Sequence, residues 1–129
     1  VFHTLSFLGP ESVLAANAAA CSSDENKFLG FHKAFYANLP AENSGAVTAD
    51  YLVALGQGVG ITSDKFKSCV ANLDYQGWVN NVAASGGEAN VNSTPTVFVN
   101  GKEIRRATSG ADLGDYFDPA AFARAVEGK

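Results

Sequence analysis

The chain has 129 residues, 47% of them hydrophobic and 17% charged, with nine Lys and Arg against thirteen Asp and Glu. One hydrophobic core is affordable at this length. The acidic balance excludes a nucleic-acid backbone as partner, since phosphate binding needs a basic surface. No apolar run reaches the roughly 18 residues of a membrane span, and composition excludes collagen-like, knottin-like and disordered chains. Two Cys and no Met are present. A chain without Met, opening inside an apolar stretch, reads as a processed product, a proteolytic fragment or a piece of a longer protein.

In chain order, residues 1–8 alternate and are rich in β-branched and aromatic residues. They predict a strand closed by Gly9-Pro10. Glu11 to Ser23 is Ala-rich and predicts a helix. Phe28, Phe31, His32, Phe35 and Leu39 fall at helical spacing on a second helix, stopped by Pro40. A polar loop follows. Thr48 then caps a helix with Leu52, Leu55 and Val59 on one face, and Ser63 caps another with Phe66, Cys69, Val70 and Leu73. Trp78, Val82 and Ala89 line a fifth helix ending near Gly86-Gly87.

The pattern then changes. Residues 96–99 predict a strand, Asn100-Gly101 a type I′ turn, and Lys102 to Arg106 the returning strand. Asp118 caps a final helix with Pro119 in its first turn and Phe122 and Val126 inward. The order is strand, about five helices, β-hairpin, helix. An uninterrupted helical block between β pieces implies an α/β fold with a helical insertion.

Cys21 and Cys69 both fall on apolar helix faces. Their spacing fits two small buried thiols as well as a disulfide joining two helices, and neither belongs to a CxxC. With His3 and His32 they show no metal-ligand spacing, so no metal is expected. His32 reads as a boundary histidine on a Phe-rich face, with a catalytic base as the alternative. His3 reads as structural. No hydrolase, glycosidase or phosphate-binding pattern is present. The most specific local feature is Asn92-Ser93-Thr94-Pro95-Thr96 directly before a strand. By itself it reads as a trans proline punctuating a loop, with a cis bond as the alternative.

Residues 94–102, Thr-Pro-Thr-Val-Phe-Val-Asn-Gly-Lys, resemble the cis-proline loop and following hairpin of the thioredoxin superfamily. Phe7 to Ser12, Ala15 to Cys21, and Lys27 to Asn38 are similar to the helical insertion of DsbA-like disulfide oxidoreductases. Asp118 to Phe122 resembles their last helix. The resemblance implies an incomplete thioredoxin-like fold within one domain, with residues 9–90 as the helical insertion and 1–8 and 91–129 as the thioredoxin-like part. It implies no cofactor. It further implies cysteine-containing protein or peptide substrates lying against Thr94 and Pro95, and an extracytoplasmic, secreted or surface-anchored location. Some members carry a structural disulfide in the insertion, and Cys21 and Cys69 match that pattern.

The family's CxxC and central strand are not among these 129 residues. The expectation is therefore part of a protein-disulfide oxidoreductase, inactive alone. Its β pieces would pair directly with each other or be shared between two copies in a dimer. The competing readings are a redox-inert peptide-binding or assembly module, and a regulatory redox switch at Cys21 and Cys69. The burial predicted by their apolar helix faces argues against the switch.

Overall fold

The computed structural model describes residues 2–105 and 114–128. Val1 and Arg106, both placed in strands by the sequence reading, lie outside them. The chain divides into two compact units, Val1–Asn90 and Val91–Lys129.

The first unit is helical. It comprises α1 (Pro10–Asp24), α2 (Phe28–Ala37), α3 (Ala49–Gly58), α4 (Asp64–Asn72) and α5 (Gln76–Glu88). Helix α1 begins where Gly9 adopts φ 113° and Pro10 takes the first turn. A proline there gives up a donor that has no intrahelical partner. A Cβ on Gly9 would lie 2.6 Å from Asn43 Oδ1. The Glu11 carboxylate, in the first turn of α1, accepts from the Val47 amide at 3.1 Å and anchors the polar loop.

Ala16 to Ser22 form an unbroken buried run. A helix buried all round sits at the centre of its unit, and α1 packs against α2, α3, α4 and α5. Its small side chains let neighbours approach from every side. Phe31, Leu52, Ile61, Phe66 and Val70 complete the core. The Phe31 and Phe66 rings meet edge-on, with centroids 6.0 Å apart.

Both predicted caps are present. The Thr48 hydroxyl accepts from the Tyr51 amide at 3.2 Å, and the Ser63 hydroxyl from the Phe66 amide at 3.1 Å. Leu73, expected on the apolar stripe of α4, instead ends that helix in the left-handed region at φ 57°. Val79 is the fully buried residue of α5, whereas Trp78 is exposed. Leu39, expected on the inner face of α2, lies beyond the helix end and is also exposed.

The strand expected over residues 1–8 is not formed in its described part, residues 2–8. A strand needs a paired neighbour for its backbone groups, and the sheet among the described residues has only two strands, β1 (Phe98–Val99) and β2 (Lys102–Glu103). The segment's side chains pack on helices instead. The Phe2 ring lies 5.2 Å from Phe28, and a Cβ on Gly86 would meet Leu5 Cδ2 at 2.8 Å.

In the second unit, β1 and β2 are antiparallel, with Phe98 opposite Glu103 and Val99 opposite Lys102. Asn100 and Gly101 carry the positive φ values, 52° and 79°, that a type I′ turn requires. Helix α6 (Pro119–Glu127) starts at Asp118, whose carboxylate accepts from the Ala120 and Ala121 amides at 2.9 and 3.1 Å. Those bonds hold its pKa below the ordinary value, the Ala121 contribution being the larger. Phe122 is half-buried, but Val126, expected inward, is exposed. At nine residues, α6 keeps only a narrow half-buried stripe.

Candidate functional site

The Thr94–Pro95 bond is cis, so the trans reading of the isolated tetrad is corrected. Thr94 and Pro95 are exposed. The chain on their C-terminal side is firmly held. The Thr96 hydroxyl donates to the Ser93 carbonyl. The Val97 amide donates to the Tyr116 phenol oxygen at 2.9 Å, and the Val97 carbonyl accepts from the Ile104 amide at 2.9 Å. Ile104 is buried and fixes the returning strand.

The Arg105 Nε pairs with the Asp115 carboxylate at 3.1 Å, and the Asp115 amide donates to the Arg105 carbonyl at 3.0 Å. These bonds position Tyr116 beneath the loop. Among the described residues, no hydrogen bond engages the backbone N–H or C=O of Thr94. An anchored loop with an exposed, unpaired peptide group can add an extended segment through main-chain hydrogen bonds. Tyr116 was not singled out from sequence. A tyrosine hydroxyl needs a partner when half-buried, but no spacing pattern ties it to Val97, 19 residues away.

Cys21 and Cys69 form a disulfide that links α1 to α4. Both residues are buried, and no free cysteine is present. Beside them lies Asn17, also missed from sequence and fully buried. Its carboxamide nitrogen donates to the Cys69 carbonyl at 3.3 Å and faces the Cys21 Sγ at 3.7 Å, and its oxygen accepts from the Tyr75 amide at 2.8 Å. The only advance signal was a polar residue inside an Ala-rich helix.

Around this point α1 is tied to α4 and α5 by polar contacts. The Tyr75 hydroxyl donates to Asp24 at 2.7 Å, Lys65 pairs with Asp24 at 3.0 Å, and the Ser63 hydroxyl donates to Glu25 at 2.6 Å. The Tyr75 hydrogen bond, then Lys65, hold the Asp24 carboxyl below its ordinary pKa of 3.8. A carboxyl with a lowered folded pKa stabilises the fold above its unfolded pKa, and that stabilisation is lost as pH falls through the folded value. Wild type is therefore expected to be more stable than Asp24→Asn at neutral pH, with the difference shrinking below about pH 4. Urea unfolding at pH 7 and pH 3 checks this. A difference that is the same at both values would contradict it.

Beside Tyr75 is an aromatic cleft of about 420 Å³, lined by Phe2, Ala20, Ser23, Phe28, Tyr75 and Trp78. His32 borders it within an aromatic cluster, its ring 5.3 Å from Phe2, 5.8 Å from Phe28 and 4.8 Å from Tyr36. This is the packing of a boundary histidine. Among the described residues, no group of three or more His, Cys, Asp and Glu is placed to hold a metal ion. Also among them, no helix is long and apolar enough to cross a membrane.

The family model described as thioredoxin matches residues 1–118. No curated protein and no solved structure matches the chain significantly. The matched span takes in the helical unit as well as the cis-proline loop and the hairpin, and the chain belongs to the thioredoxin family.

Proposed function

We propose that this chain is part of an extracytoplasmic, DsbA-like protein-disulfide oxidoreductase. In this reading Thr94 and Pro95 bind the cysteine-containing segment of a protein substrate. The observation that carries it is the exposed cis Thr94–Pro95 bond at the head of an anchored hairpin, in a chain of the thioredoxin family. The exposed Thr94 peptide group would pair with the substrate backbone and orient its sulfur. A catalytic thiolate would then attack a substrate disulfide, forming a mixed disulfide that a second thiol resolves.

Cys21 and Cys69 do not fill that role, because they are buried in a disulfide with each other and lie 48 residues apart. In this proposal the catalytic CxxC belongs to residues beyond these 129. The bridge is also compatible with an oxidising compartment, where structural disulfides persist.

A second reading, a redox-inert peptide-binding module, is favoured by one observation: no free thiol is present in the chain. Insulin reduction by dithiothreitol tests both. The 129-residue chain is expected to give no acceleration over background, and fusion to a family CxxC segment is expected to restore turnover that Pro95→Thr impairs. Full turnover by the 129 residues alone would overturn the assignment of the catalytic pair. A folded fusion without turnover would favour the inert module.

A further inference from the structure

The aromatic cleft and the buried carboxamide beside the disulfide are linked through Tyr75. Asn17 contacts both half-cystines, through the Cys21 Sγ and the Cys69 carbonyl, and also takes the Tyr75 amide. Tyr75 is the residue from which α5 starts, and Trp78 follows it by three positions on the same helix face. Both line the cleft, as does Ala20, the neighbour of Cys21. The α5 wall of the cleft is thus fastened to α1 by an amide whose remaining bonds go to the disulfide.

We propose that Asn17 is a positioning residue that couples the redox state of the Cys21–Cys69 bridge to the shape of the Phe2–Phe28–Tyr75–Trp78 cleft. In the oxidised protein the covalent link fixes the Cys21 sulfur and the Cys69 carbonyl relative to one another, so one planar carboxamide can meet both and still accept from Tyr75. Reduction by an external dithiol breaks the Sγ–Sγ bond. One thiolate of the reductant attacks a half-cystine, its second thiolate closes the reductant's own disulfide, and the protons of its two thiols end on Cys21 and Cys69. With α1 and α4 no longer joined, Asn17 loses that fixed geometry, and the Tyr75 amide is released with the cleft wall. Burial of both sulfurs makes reduction slow, so this is a coupling exposed by strong reductant and not a rapid sensor.

The chain's sole tryptophan is Trp78, so the cleft carries its own reporter. Amide hydrogen exchange and acrylamide quenching should be compared in three samples. These are oxidised wild type, wild type reduced with dithiothreitol, and oxidised Asn17→Leu with its bridge confirmed intact by mass after alkylation. In the last two, the Tyr75 amide is expected to exchange at least about tenfold faster and Trp78 to be quenched more readily. The Phe31 amide, bonded to the Lys27 carbonyl at the start of α2, should change far less. Unchanged Tyr75 exchange in Asn17→Leu would overturn the proposal, as would equal acceleration at Tyr75 and Phe31, or Trp78 quenching indifferent to reduction.

Discussion

Replacing Cys21 and Cys69 together with alanine is expected to lower the stability of the chain by about 4 kcal/mol. The bridge closes a loop across a sequence separation of 48. In the loop-entropy picture, such a cross-link removes that much conformational freedom from the unfolded chain. Two features keep the full effect visible in the folded state. Both half-cystines are buried among Ala18, Phe66 and Val70 of the core, so their removal also forfeits packing. The central helix they anchor touches every other helix of the first unit, so no part of that unit is insulated from the loss. Urea unfolding of wild type and the double variant, both monitored by far-UV circular dichroism, measures the difference. A loss below about 1 kcal/mol would show that the helical unit does not depend on the bridge.

Phe66→Ala is the second large effect, expected at about 3–5 kcal/mol. Phe66 is fully buried, packs its ring against Phe31, and covers the flank of α3 at Gly56. A Cβ at position 56 would meet Phe66 Cε1 and Cζ well inside contact distance. Glycine is therefore required there by the close approach of the ring, at the cost of a weaker helix end. Gly56→Ala is expected to destabilise by about 1–3 kcal/mol, because a fully buried ring would have to shift to admit the methyl group. The two substitutions should be strongly non-additive, since removing the ring makes room for the methyl group. Additivity within about 0.5 kcal/mol would contradict the contact.

What the sequence made legible follows from where local chemistry is decisive. The caps Thr48, Ser63 and Asp118 each satisfy amides of the first helical turn within three residues of themselves. Asn100-Gly101 likewise fixes its own turn. Such features are read correctly because they need no distant partner. The disulfide joins residues 48 apart, and spacing leaves it open, while the Thr94–Pro95 tetrad by itself favours the trans bond that the structure overturns. Only the resemblance to a family pointed to them.

The failures are also non-local. Residues 2–8 have the alternation of a strand, but alternation cannot supply a neighbouring strand, and Phe2 found Phe28 and His32 instead. In α5, the larger residue Trp78 was expected inward. Val79 is buried instead, one turn after Tyr75, whose amide is held by Asn17 from α1. In the second unit, Tyr116 supports the loop from 19 residues away through one hydroxyl, and nothing in the linear pattern announces such a bond.

The central claim is that the Thr94–Pro95 loop receives an extended, cysteine-containing peptide. Titrating the isotopically labelled chain with such a peptide, and following every backbone amide by NMR, tests it most directly. The account predicts saturable shifts centred on Thr94, Thr96 and Val97, lost in Pro95→Thr while the disulfide-linked helical unit keeps its spectrum. Saturable binding that leaves those three amides unmoved, or survives Pro95→Thr unchanged, would contradict it.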